Sequence, residues 1–400
     1  MKNFNNLIFL LLLTFTATNL SSQDLTPVPD PRPTEFPTFN GNEKIIQLGD
    51  EMLVEIIARD LLDGVKEKKG KDFKDKENGC GNIAFDPATV TLCEPTGSFV
   101  VNYTGFTPEA RRAFQYAVDI WSRVLNLSVP VVINAQFAPL GPNVLGSAGP
   151  TFVNRDGAGY PLAGHWYPIA LSNQFDGFDV VAGNAHINAN FSSEFTNWYY
   201  EFDGCPPAGD FDFVTVVLHE IGHGLGFTTS RFADEMAGFG CFGFAGFPWA
   251  FDSFLFNNSF LGGFSLNGVP PGCYGTLDQF YTNDDLFWVG PEVVACNGGP
   301  AKLYAPSVFA GGSSTAHFDE ATYPGVDPNG LMTPFVGRGQ AIHDPGCALA
   351  LLRDLGYDSL SEVPTCEVVP TMGEWGLLSL GLILLILGVV TIKSRKLVFG

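Results

Sequence analysis

Four hundred residues at 46% hydrophobic content suffice for one large domain, or two subdomains, with a true core. A formal charge of −21 argues against nucleic acid as a partner. Such acidity suits an exported protein and is compatible with bound Ca2+, although no calcium loop of EF-hand type is present.

Residues 1–22 begin with Lys2 close to the start, carry an apolar run from Leu7 to Phe15 and then turn polar. This is the layout of a secretory signal peptide, and the run is too short to serve as a membrane-spanning anchor. Eight cysteines follow: Cys80, Cys93, Cys205, Cys241, Cys273, Cys296, Cys347 and Cys366. An even count in an exported chain predicts disulfides, with neighbouring cysteines as the expected pairs. The absence of a CxxC speaks against a cysteine-based zinc ribbon.

Residues 23–94 read as a linker or a propeptide. The stretch from Asp24 to Asn40 is proline-rich and extended. Residues 49–63 have the spacing of a short amphipathic helix, and 64–79 is a mixed-charge, solvated run. Cys80 or Cys93 has two readings, an inhibitory thiolate over a metal or a disulfide, and the disulfide is favoured.

A folded domain is expected over 95–360. Thr107-Pro108 is a helix start, with a capping hydroxyl and a proline in the first turn. Phe114, Ala117, Val118, Trp121 and Leu125 then form one apolar face. Val129–Phe137 reads as a strand, with further strands around Tyr167–Leu171 and His186–Phe191. Gly204–Asp212 is a loop that ends in an acidic cap.

The next stretch, Val214–Phe227, carries His219-Glu220-Ile221-Gly222-His223, an H-E-x-x-H pattern. Residues four apart share a helix face, so both imidazoles can reach one ion. Val214, Val217, Leu218, Ile221 and Leu225 gather on the other side and predict a buried back. Glu220 lies one residue round from His219, within reach of a metal-activated water without being a ligand. Residues 228–314 form an insertion rich in Phe and Gly, with a strand-like Ala301–Tyr304. Residues 313–334 are turn-rich, and Ala341–Asp354 predicts a closing helix.

A catalytic zinc takes three protein ligands and leaves one position open. In the compact pattern HExxHxxGxxH, Gly226 stands in place but Thr229 occupies the third ligand position and cannot serve. His165, His186, His317 and His343 remain, and Asp234 or Glu235 would supply a carboxylate alternative. A turn-rich Gly330-Leu331-Met332-Thr333-Pro334 follows His317. That combination, with HEIGHGLGF before it, resembles the leishmanolysin-like branch of the metzincins. The resemblance implies His219, His223 and His317 as ligands of one catalytic Zn2+. It also implies Glu220 as general base, Met332 as the residue of the turn beneath the metal and Gly226 as the turn after the helix. The 94 residues between His223 and His317 depart from compact metzincins, and Pro334 stands where some metzincins have a Tyr ligand. His186 reads as packing beside the cleft rather than substrate positioning, and His165 and His343 as structural.

Residues 361–372 read as a linker and 373–400 as a terminal signal. Val369-Pro370-Thr371 and Glu374-Trp375 lead into the uncharged run 376–392, then Lys393-Ser394-Arg395-Lys396. The run can just span a bilayer, with its basic end cytoplasmic. This head, span and basic end resemble the IPTL-type bacterial C-terminal sorting signal. The resemblance implies an envelope or surface address, with release after processing. A permanent single-pass anchor is the other reading.

The expectation is an α+β, metzincin-like zinc peptidase domain. A twisted sheet and an active-site helix would be followed by an irregular subdomain bearing the Met-turn, then a C-terminal transmembrane helix. The expected activity is a zinc-dependent endopeptidase acting on protein or peptide. The alternative is an envelope adhesin or binding module with a non-catalytic zinc, but a purely structural zinc has no need of Glu220. The sequence leaves the oligomeric state open.

Overall fold

The computed structural model describes residues 25–29, 44–48, 54–58, 82–83 and 98–358, apart from 235, 326 and 328. The expected signal peptide, most of 23–94, Cys80, Cys93, Cys366, Glu235 and the run 376–392 lie outside the described residues. Among the described residues, no helix is long and apolar enough to cross a membrane.

Among the described residues twelve strands precede the H-E-x-x-H helix, and the first ten carry labels here. They are β1 (Pro27–Val28), β2 (Ile45–Gln47), β3 (Val54–Ala58), β4 (Asn82–Ile83), β5 (Phe99–Thr104), β6 (Val131–Ala138), β7 (Val144–Pro150), β8 (Phe152–Asn154), β9 (Tyr167–Pro168) and β10 (Ile187–Ser192). The main sheet is six-stranded, in the order Phe335–Val336 strand, β3, β7, β10, β6, β5. β5, β6 and β10 run parallel, whereas β7 is antiparallel to β10 and to β3. In β6 the buried Val131, Ile133 and Ala135 alternate with more exposed neighbours, the two-residue period of a strand with one covered face.

Helix α1 (Pro108–Val124) lies over this sheet. The Thr107 hydroxyl accepts from the Ala110 amide at 3.2 Å and Pro108 occupies the first turn, so local chemistry alone sets the start. Helix α2 (Ile169–Asp176) follows β9 directly. The apolar run Tyr167–Leu171 is therefore not one strand: it bends into a helix after Pro168.

Helix α3 (Phe213–Leu225) carries the H-E-x-x-H residues and is buried along its whole length. Its start is fixed by Asp212, whose carboxylate accepts from the Thr215 amide and hydroxyl, both at 2.7 Å. The expected back, Val214, Val217, Leu218, Ile221 and Leu225, is fully buried. At roughly 1.5–3 kcal/mol per side chain, that burial outweighs the moderate helix propensity of so many β-branched residues. Helix α1 packs on the Leu218 and Gly222 side, where the Trp121 indole donates to the Leu218 carbonyl at 3.0 Å, while β7 runs against the Glu220 side.

Beyond α3 the chain builds two four-stranded sheets. One contains β1 with Gly272–Gly275, Phe239–Phe242 and Phe232–Asp234; the other contains Phe264–Ser265, Leu255–Asn257, Leu286–Trp288 and Ala301–Lys302. The same stretch includes the short helices α4 (Asp278–Thr282) and α5 (Pro291–Asn297). The final helix, α6 (Cys347–Leu355), starts later than the expected 341, because Ile342–His343 pairs with β4 and Pro345-Gly346 break the backbone first. Cys241–Cys273 and Cys296–Cys347 are disulfides, each joining a cysteine to the next along the chain, and Cys205 is disulfide-bonded as well.

The segment 23–94 is more than a spacer. β1 pairs with Gly272–Gly275, β2 with β8, β3 with β7 and β4 with Ile342–His343. The expected helix at 49–63 is absent where described, because Val54–Ala58 is extended and sits between two other strands.

Candidate metal centre

Three imidazoles converge at one point. The Nε2 atoms of His219 and His223 are 2.9 Å apart, those of His223 and His317 3.1 Å, and those of His317 and His219 3.2 Å. The two helical histidines reach this point from consecutive turns of α3. His317 arrives from a segment held against Tyr304, whose amide donates to the His317 carbonyl at 2.9 Å. All three side chains, and Glu220 with them, are fully buried.

The other ring nitrogens fix the tautomers. His219 Nδ1 lies 2.6 Å from the Leu331 carbonyl, His223 Nδ1 2.7 Å from the Phe227 carbonyl, and His317 Nδ1 2.7 Å from the Ser313 carbonyl. A carbonyl can only accept, so each Nδ1 carries the proton and each Nε2 presents a lone pair. Three lone pairs facing one another at such distances repel unless a cation lies among them. The donor set therefore fits a metal ion, and these three residues could hold one.

The electrostatics agree. Burial lowers the His219 imidazole to about 4, against the opposing pull of its bond to the Leu331 carbonyl. His223 is held well below the ordinary histidine value by burial, then by neighbouring His219, and Arg231 pushes the same way. His317 is lowered by burial and by the two other imidazoles. All three are thus neutral at pH 7, the protonation state a ligand requires.

Two further residues shape the floor and exit of the site. Met332 is fully buried, and a Cβ placed on Gly222 would lie 2.9 Å from its sulfur. Gly222 therefore lets the turn Gly330–Met332 come up against the helix, and the Phe318 amide donates to the Met332 carbonyl at 2.8 Å. This ties the His317 segment to the same turn. Gly226 closes the helix at φ +145°, with its amide directed back at the Gly222 and His223 carbonyls. A side chain at that φ would be strained.

The remaining candidates lie elsewhere. The Thr229 hydroxyl donates to the buried Asp252 carboxylate, which also accepts from the Ser230 hydroxyl at 2.9 Å. The Asp234 carboxylate accepts from the Ala237 amide at 2.9 Å, within its own turn, and is not among the groups that could share an ion. His186 is buried, accepts from the Val132 amide at 3.1 Å and lies 3.1 Å from Asp179. His343 Nε2 lies 2.8 Å from Asp212, so this histidine steadies the start of α3. His165 lies 2.9 Å through Nδ1 from the Ala163 carbonyl. Sequence reasoning missed Arg231 and Gly146. A Cβ on Gly146 would lie 3.1 Å from the Glu220 Cγ, so β7 passes directly against the acid. A lone arginine and a strand glycine carry no signal that separates them from ordinary structural residues.

A family model described as SPBPB7E8-like matches residues 104–239. The match takes in His219, Glu220 and His223 and ends before His317 and Met332. No curated protein and no solved structure matches the chain.

Proposed function

We propose that the chain is a zinc-dependent endopeptidase of the leishmanolysin-like metzincin type, acting outside the cytoplasmic membrane. The observation that carries this reading is the meeting of three Nε2 lone pairs beside a carboxylate on the same helix. A tetrahedral zinc at about 2.0–2.1 Å from three nitrogens sets them about 3.3 Å apart, close to the spacing found. All-nitrogen donors with neutral imidazoles suit zinc better than calcium or magnesium, which prefer oxygen. Disulfides at Cys241–Cys273 and Cys296–Cys347 support an oxidising compartment.

A bound zinc would polarise the scissile carbonyl and acidify the attacking water. Glu220 takes the proton of that water and returns it to the leaving amine. His219, His223 and His317 are fixed in orientation by the Leu331, Phe227 and Ser313 carbonyls, so the three lone pairs need no rearrangement to bind. The turn carrying Leu331 and Met332 serves both the first ligand and the helix floor.

The test is Glu220→Gln, read by zinc content and casein hydrolysis. Zinc should stay at one per chain while hydrolysis falls by at least 100-fold. Retained turnover would count against the peptidase reading, and wild-type protein without casein or peptide cleavage would leave a non-catalytic metal site.

A further inference from the structure

Arg231 stands eight residues beyond His223, on the stretch that leaves α3 after the Gly226 turn. Its two predecessors are spent, since Thr229 and Ser230 both donate to the buried Asp252 carboxylate. Arg231 is half-buried, and water does not reach its Nε and Nη2. Neither nitrogen has a hydrogen-bond partner among the described residues, and Asp252 acts on the guanidinium only at a distance. A guanidinium carries five donors in a planar fork, and a buried one ordinarily spends them on carbonyls or carboxylates. Here the Cζ lies 5.6 Å from the centroid of the Phe309 ring, which itself packs on Phe232 and Tyr281 at 6.4 and 6.5 Å.

Two directions place this fork beside the metal centre. Its charge disfavours protonation of His223 and of His317, so it lies within electrostatic reach of both. Phe309, which covers it, stands four residues before Ser313, whose carbonyl holds His317 Nδ1. The Ser313 and Ser314 amides both donate to the Ala310 carbonyl, at 3.1 and 2.8 Å, so a tight turn links the ring to the third imidazole. Val308, next to the ring, is largely exposed. The segment 308–317 therefore runs from the surface to the metal centre, with the guanidinium beneath it. Burial lowers Arg231 to about 10, with Asp252 and then Tyr281 opposing, so it stays charged at pH 7. A divalent ion on the three imidazoles and this cation would face two carboxylates, Glu220 and Asp252, which leaves a formal positive excess. An unpaired charge away from water is costly, and no described group closes on this one.

We propose that Arg231 determines the specificity of the site, its unpaired fork receiving a carboxylate of the bound peptide on the His223 and His317 side of the metal. This names the substrate class and rests on the peptidase reading above. The carboxylate has two sources, an Asp or Glu side chain near the bond to be cut or the C-terminus of the bound peptide. The planar fork meets either one with two parallel N–H donors. Methionine at 231 would occupy the same space under Phe309 without charge or donors.

The test uses the full chain carrying Glu220→Gln and loaded with zinc, so that peptides bind without being cut. The probes are octapeptides of alanine and glycine, labelled with fluorescein at the N-terminus. One Glu is moved through every position, each peptide is matched by its Gln counterpart, and one further pair has a free or an amidated C-terminus. Anisotropy should show one Glu peptide, or the free terminus, binding about 10-fold or more tightly than its neutral match. A preference confined to one Glu position assigns a side chain, and one confined to the free terminus assigns a C-terminal carboxylate. Arg231→Met should abolish the preference and leave affinity for the neutral peptide unchanged, whereas Arg231→Lys should keep part of it. Because the guanidinium has no hydrogen bond to lose, Arg231→Met should unfold at the same urea concentration as its parent or a higher one. No preference in the parent overturns the proposal without any change at Arg231, as does a preference that survives Arg231→Met. An Arg231→Met chain that does not fold makes the guanidinium a structural strut and also overturns it. Cleavage by the wild-type chain separates the two readings. A carboxylate preference without hydrolysis keeps the role of Arg231 and sinks the peptidase, whereas casein hydrolysis without any preference keeps the peptidase and sinks the proposal.

Discussion

Gly222→Ala probes the contact on which the metal floor depends. The new methyl would meet the Met332 sulfur at 2.9 Å and its terminal carbon at 3.3 Å, with Trp121 at 3.6 Å behind. Ordinary carbon contacts lie near 3.5–4.0 Å, so Met332 has to retreat by about half an ångström or more from a fully buried position. Overpacking of this kind costs about 1–3 kcal/mol. Met332→Ala alone should cost about 2–5 kcal/mol through the cavity it leaves. In that cavity the alanine at 222 fits, so the double variant should recover about 1–3 kcal/mol relative to the sum of the singles. The assay is urea unfolding of the four proteins with a chelator present, since bound metal would add its own stabilisation. Because His219 bonds to the carbonyl of Leu331, beside Met332, Gly222→Ala should also weaken zinc binding by about 10–100-fold. Additive stabilities, with coupling under about 0.5 kcal/mol, would refute the claim that the helix and the turn meet at this point.

The metal-free protein should be sensitive to acid. The folded-state His219 value of about 4 lies below the unfolded 6.5, so the unfolded chain binds more protons between them, and stability is present above 6.5 and lost as pH falls towards 4. That residue alone accounts for about 3 kcal/mol; urea midpoints of chelated wild type and His219→Ala at pH 7 and 4.5 should show the smaller loss in the variant. Asp212→Ala should cost about 2–4 kcal/mol, because it removes the cap of α3 and leaves the His343 imidazole without its carboxylate. Asp212→Asn should recover part of that in thermal melts, and equal losses for the two would place the effect elsewhere.

The two helices with local signals were legible in the sequence. Thr107-Pro108 and Asp212 are caps written into neighbouring residues, and the apolar spacing of 107–125 and 214–225 needs no distant partner to interpret. His219, Glu220 and His223 came with the second of these. His317 was reachable only through a family resemblance, because the 94 residues that separate it from His223 fold into two sheets before returning it to the site. β3 was misread for the same reason. Met52, Leu53, Ile56, Ile57 and Leu61 have helical spacing, but the backbone of Val54–Ala58 pairs with β7 on one side and with Phe335–Val336 on the other, partners that lie far along the chain. At Ile342–His343 a distant strand, β4, likewise displaced the start of an expected helix.

The bond between Cys296 and Cys347 closes a covalent ring of chain that contains both His317 and Met332. Closing a loop with a separation of 51 residues removes conformational freedom worth about 4 kcal/mol from the unfolded chain. Thiol oxidation and metal capture are therefore coupled in order. In a reducing compartment the third imidazole sits on an open tether and the ion must restrain it unaided. Once the ring is sealed, the same ion meets a nearly finished cage. The redox state of one cysteine pair, more than 20 residues from any of the three histidines in sequence, would thereby bear on how readily they take up an ion.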